Sequence, residues 1–108
     1  MRKLKTKDVF TAGRMIKKMG IKEELKIALT NEKTNRENVG FEVMNEIFEK
    51  AVEQESEQLI YEFLAGPFEC EPKDVEDMEL LQMVEGLKYC GDLEAWKVFF
   101  KGVSATLE

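Results

Sequence analysis

The chain has 108 residues, 44% of them hydrophobic and 35% charged, with a formal net charge of −6. That length fits one domain burying roughly 60–70% of its unfolded surface, and the balance is that of a globular chain rather than a disordered one. No apolar run approaches the roughly 20 residues that span a bilayer, the charged start MRKLKTKDVF lacks the apolar stretch of a secretory leader, and the absence of histidine removes the commonest general base and zinc ligand.

Thr6 is the expected cap of the first helix, through KDVFTAGRMIKKMG, with Asp8 in its first turn and Lys17 and Lys18 in its last, as the helix dipole prefers. Val9, Ala12, Gly13 and Ile16 share one face, and Gly20 is the stop. IKEELKIALT predicts a short second helix with Ile21, Leu25, Ala28 and Leu29 inward. NEKTNREN holds no apolar residue and reads as a loop. Thr34 or Asn35 starts the third helix, Thr34 and Glu37 having the form of a capping box. Val39, Val43, Met44, Ile47, Phe48 and Ala51 then repeat at helical spacing, predicting the longest helix. A pause at Ser56 begins a fourth, with Leu59, Ile60, Phe63 and Leu64 inward.

The two prolines fall within six residues, in FLAGPFECEPKDVEDM. Gly66 fits the left-handed residue that closes a helix, and Pro67 behind it is unable to extend that helix. Pro72 suits the first position of a new helix, where its missing N–H costs nothing. Phe68, the one large apolar residue between them, is expected to plug the corner. DMELLQMVEGLKYCG predicts the fifth main helix, with Leu80, Leu81, Val84 and Leu87 inward and Gly91 as its stop. Asp92 caps the last, whose apolar face is Trp96, Phe99, Phe100 and Val103. The expected fold class is all-α: one domain, residues 1–106, of about six helices with a Gly-Pro corner near 66–72. Leu107 and Glu108 have the look of a cloning remnant and carry no weight. No strand signal, internal repeat or low-complexity tract is present.

Charge is distributed unevenly. Residues 1–36 hold eleven Lys and Arg against four acids, a net of +7, and residues 37–108 hold five against eighteen, a net of −13. Either the two halves complement each other on folding, or a charged face orients a partner. The acidic remainder makes phosphate a poor partner. Catalytic templates fail on residue type. The glycines are scattered, with no phosphate loop, and a Ser-His or Cys-His pair is unavailable without histidine. Glu53 with Glu57 and Asp74 with Asp77 read as solvated acidic faces. DVEDMELLQMVE lacks the central glycine of a calcium loop. No catalytic residue, cofactor or metal site is expected. Cys70 and Cys90 read as free thiols in a reducing cytosol and as small buried hydrophobes, with a disulfide between them left open. Met15, Met19, Met44, Met78 and Met83 either fill the core or line an adaptable binding surface. Trp96, Phe99 and Phe100 of the last helix either close the core against the helix from Met78 to Cys90 or present some of their number to a partner.

The C-terminal half, FLAGPFECEPKDVEDMELLQMVEGLKYCGDLEAWKVFFKGV, resembles the small tail assembly chaperones of long-tailed phages and prophages of Gram-positive hosts. The matching features are Phe63 to Gly66 at a helix end, the acidic Pro-x-Asp-Val at Pro72 to Val75, the MELLQMVEGLK helix, and Trp96, Phe99 and Phe100 at the close. LKTKDVFTAGRMIKKMGIKEELK is similar too, so the resemblance covers most of the chain. It implies a small helical, non-enzymatic protein of the host cytoplasm that binds the tape-measure protein and the tail-tube protein before the tube polymerises. It implies no nucleic acid, no membrane and no cofactor, and leaves self-association open. On this reading the partner surface draws on exposed members of Met15, Met19, Met44, Met83, Phe99 and Phe100. The alternative is a small helical regulator binding a protein effector or DNA, motivated by the basic first 36 residues.

Overall fold

Seven helices and no strand make up the described part of the computed structural model, which covers residues 1–30 and 39–107, without the side chains of 39–41. The helices are α1 (Thr6–Met19), α2 (Lys22–Thr30), α3 (Val39–Gln54), α4 (Glu57–Phe68), α5 (Pro72–Asp77), α6 (Leu80–Cys90) and α7 (Leu93–Thr106). The expected loop at 31–38, the Thr34 or Asn35 start with Glu37, and the Val39 side chain lie outside the described residues. The all-α class holds. The radius of gyration, 12.9 Å, is near the roughly 13 Å of a compact 100-residue domain, so the helices share one core.

That core lies among α1, α3, α4 and α7. α1 packs on α7, α4 and α3, and α3 on α7; α2 lies against α3 and α7, and α5 and α6 lie against α4. Ala12, Met15, Ile16 and Met19 of α1, Val43, Met44, Ile47 and Ala51 of α3, and Ile60, Phe63 and Leu64 of α4 are buried together. α7 supplies Trp96, Phe99, Phe100 and Val103, all buried as their spacing predicts. Asp92 caps α7, accepting the Ala95 N–H at 2.8 Å. Phe68 is buried at the corner, as expected.

Three helices end in one hydrogen-bond pattern, in which a left-handed residue lets two successive N–H groups turn back on the last carbonyls. At α1 the left-handed residue is Gly20 (φ 68°), and the Ile21 N–H reaches the Ile16 carbonyl at 3.3 Å. At α3 it is Glu55 (φ 55°), with Ser56 N–H donating to Ala51 at 2.9 Å. At α4 it is Glu69 (φ 56°), with Cys70 N–H donating to Ala65 at 3.1 Å.

The last of these corrects the expectation at the corner. Gly66 is not the left-handed residue: α4 runs through Gly66 and Pro67 and stops at Phe68. Pro67 removes one N–H from the final turn, where the helix is already ending, so the loss is one bond rather than the helix. A residue before proline normally leaves the helical region because its Cβ meets the proline ring; Gly66 has none. The reversal falls at Glu69–Glu71, and Pro72 opens α5 at its first position, as expected. Gly20 and Gly66 therefore respond differently to alanine. Gly20→Ala should cost about 1 kcal/mol, because a Cβ is strained at positive φ. Gly66→Ala should be close to neutral, a helix-propensity gain of up to about 1 kcal/mol offsetting the clash with Pro67. Chemical denaturation of the two variants beside the parent checks the contrast.

Two smaller corrections concern helix starts. Thr6 is the first residue of α1 rather than its cap. The cap is Lys5, whose N–H donates to Asp8 Oδ2 at 2.8 Å. The expected fifth helix is two: α5 ends at Asp77, and Met78 and Glu79 are extended before α6 begins. Leu107 is half-buried and packs against the core.

Candidate interaction surface

The six residues expected to draw a partner are not gathered on one face. Met15, Met19, Met44, Phe99 and Phe100 are buried and Met83 is half-buried. Methionine and phenylalanine at helical spacing here fill the interior, since α1, α3 and α7 each turn their apolar stripe onto the shared core. Phe99 and Phe100 meet edge to face at 5.2 Å, and Phe63 lies 5.9 Å from Phe99. Three of the six still line a groove, Met15 one of about 110 Å³ between α1 and α4 beside Leu59 and Phe63. Phe99 lies under an open groove of about 650 Å³ between α1 and α7, with Leu4, Val9 and Val98 on its walls. Met44 lies under one of about 240 Å³ between α3 and α6, beside Phe48, Val84 and Leu87.

The apolar surface the expectation missed is on α6. Leu80 and Leu81, expected inward, are 73% and 68% exposed, and Val84 is half-buried. The helix buries Gly86, Leu87 and Cys90 instead, with Met83 on the same side. Gly86 permits this orientation, because a Cβ there would meet Phe68 at 2.9 Å and Met1 at 2.7 Å. A signal was present: Leu80, Leu81, Met83, Val84, Leu87 and Cys90 span more of the helix circumference than one buried stripe requires. Phe10, Ile27, Val52 and Val98 are further exposed apolar side chains.

The N-terminal segment holds the charged interior. Arg2 forks onto Asp8 with two hydrogen bonds, 2.7 and 2.9 Å. Asp8 is the buried charged residue of the described chain. Burial pushes its carboxyl up, but the Arg2 guanidinium and the Lys5 N–H outweigh that and hold it below its ordinary value. The same bond raises Arg2, against the opposing effect of burial. The backbone is pinned on either side: Arg2 N–H donates to the Pro67 carbonyl at 2.8 Å and Leu4 N–H to the Cys90 carbonyl at 3.1 Å.

Cys70 and Cys90 are free thiols. Burial raises both, and neighbouring Asp74 and Glu71 raise Cys70 further, so both stay protonated near neutral pH and neither has an activated nucleophile's character. Asp74 accepts the Glu71 N–H at the start of α5, and Glu53 pairs with Lys50. Among the described residues no group of three or more Cys, Asp or Glu could hold a metal ion, and no helix is long and apolar enough to cross a membrane. Comparison with known protein families, curated proteins and solved structures finds no match to this chain.

Proposed function

We propose that this protein is a non-enzymatic tail assembly chaperone of a long-tailed phage or prophage, acting in the host cytoplasm on the tape-measure protein, the tail-tube protein, or both. The observation that carries the reading is the run of shared sequence features from Phe63 to Phe100, with the similar stretch in α1. The α1–α7 groove supports it physically. Its walls of Leu4, Val9 and Val98 over Phe99 offer an open, mostly apolar trough beside the basic end of the chain. A tape measure is a long helical rod with apolar seams, and helix-in-groove contact is the recognition mode that would cover one.

The test is co-expression with tape-measure and tail-tube proteins, followed by affinity capture in moderate salt. Capture of either is the expected result, and it should weaken only modestly as salt rises, because the contact is largely apolar. Val98→Asp, which alters an exposed side chain on the groove wall, should cut capture while leaving the helical circular dichroism spectrum intact. Recovery of neither protein, together with a salt-sensitive shift of duplex DNA, would replace this reading with that of a regulator.

A further inference from the structure

We propose that the face shared by α3 and α6 docks a cationic amphipathic helix of a partner protein. The inference does not depend on the tail-chaperone reading and concerns a different face from the α1–α7 groove.

The face has a formed centre. Met44, Phe48, Val84 and Leu87 line a groove of about 240 Å³ between the two helices. Val84 follows Leu80 by four residues and Leu81 by three, so both leucines extend the α6 wall of that groove. They are 73% and 68% exposed. On α3, Val52 follows Phe48 by four residues and is 76% exposed. An isolated exposed leucine is ordinary. Apolar side chains continued along both walls of one groove mark an interaction surface.

The rim is acidic. Glu76, Asp77 and Glu79 precede the leucines and Glu85 follows them, all exposed. On α3 the exposed Glu49 follows Asn45, another residue of the groove wall, by four residues. Lys88 is the one cation that lines the groove, two turns away from the leucines. From Glu69 to Asp92 the chain carries eight acids and two lysines, a net of −6.

Charge and shape together decide which occupant fits. An acidic rim repels phosphate, which excludes nucleic acid and an anionic bilayer. A second copy seated through the same face would set acid against acid. The basic outer face of α1 offers a single strongly exposed apolar side chain, Phe10, too little to cover apolar walls on two helices. What fits is a helix of another protein, with a continuous apolar stripe for the groove and Lys or Arg on either side of it for the rim. α6 is 11 residues long, about 16 Å, so about three turns of such a helix lie along it.

Titrating the full chain into a dye-labelled synthetic peptide, followed by fluorescence anisotropy, tests this. The probe is an amphipathic peptide of about 14 residues, roughly four turns, with leucines along one face and lysines and arginines flanking them. Its counterpart carries glutamate in place of every lysine and arginine. The cationic peptide should bind and its counterpart should bind about tenfold more weakly or worse, and salt should weaken the first several-fold as it screens the rim. Leu81→Asp should cut the affinity about tenfold. It also adds a negative charge, so a purely electrostatic contact would strengthen instead, and that result overturns the proposal. Glu79→Lys and Glu85→Lys keep the apolar walls and should each weaken binding several-fold. Ile27→Asp, at an exposed position on α2, should leave it unchanged, and circular dichroism verifies that every variant is folded. No binding of the cationic peptide, or equal binding of both peptides, overturns the proposal. So does a parent that sediments as a dimer and becomes monomeric on Leu81→Asp, which would mean that a second copy covers this face.

Discussion

Truncating Trp96 to alanine should cost about 3–5 kcal/mol, the range for large aromatic truncations in a packed core, against a total stability of about 5–15 kcal/mol for a domain of this kind. Trp96 is fully buried. Its ring stacks on Phe100 at 5.7 Å and meets Phe99 edge to face at 5.5 Å. Its indole N–H donates to the Leu87 carbonyl at 2.9 Å, so one side chain ties α7 to α6 while packing into the aromatic cluster that α7 itself carries. Trp96→Phe separates the two contributions. It keeps an aromatic ring and removes the donor, while the Leu87 carbonyl still accepts from the Gly91 N–H at 3.3 Å. The lost bond should then cost about 1 kcal/mol, in addition to whatever packing the smaller ring forfeits. Urea unfolding followed by circular dichroism measures both variants, since Trp96 is the chain's single tryptophan and its fluorescence disappears with it. An unchanged midpoint for Trp96→Ala would mean that α7 is peripheral.

The second large effect is at Asp8. Asp8→Ala should destabilise by about 2–3 kcal/mol, the scale of charge-assisted bonds removed from a shielded site. The carboxylate accepts from both the Arg2 guanidinium and the Lys5 N–H, so its removal leaves a shielded cation and the first turn of α1 without their acceptor. The pH dependence has a definite sign. The folded-state pKa of Asp8 lies below its ordinary value of 3.8. Its stabilisation is therefore complete above that value and is lost as pH falls through the lower folded-state pKa. The stability gap between the parent and Asp8→Ala should be constant near neutral pH and close in strong acid. A gap that persists unchanged there would show that Asp8 acts through packing alone.

Much of this architecture was legible because its signals are local. Asp92 followed by Trp96, Phe99, Phe100 and Val103 carries both a cap and a complete apolar stripe, and α7 matches them. Gly20 behind Lys17 and Lys18 marks an end that backbone sterics enforce. The break at Ser56 was equally visible. The misreadings share a cause in contacts far along the chain. Gly66-Pro67 has the chemistry of a helix stop, yet the helix continues two residues further and the freed Pro67 carbonyl is taken by Arg2, 65 positions earlier. The Arg2–Asp8 pair brings an extended segment onto the first turn of a helix, and no helical spacing connects them.

The binding surface was the least legible part. Periodicity states which residues share a face of α6, but not whether another element covers that face. Among the described residues none covers Leu80 and Leu81. The same limit acted in reverse on Met15, Met19, Met44, Phe99 and Phe100. Their residue types suit a partner surface, and the packing of α1, α3 and α7 encloses them.

The pinning of the first four residues sets an order in time. Arg2 is held by Pro67 and Leu4 by Cys90, and α1 rests on α7. During synthesis at about 5–20 residues per second, Cys90 follows Leu4 by roughly 4–17 s. Until α7 has also emerged, Ala12, Met15, Ile16 and Met19 lack the last helix of the core that encloses them. Within this stretch, what is made earlier is thus secured only by what is made later, and α1 waits in the cell for α7.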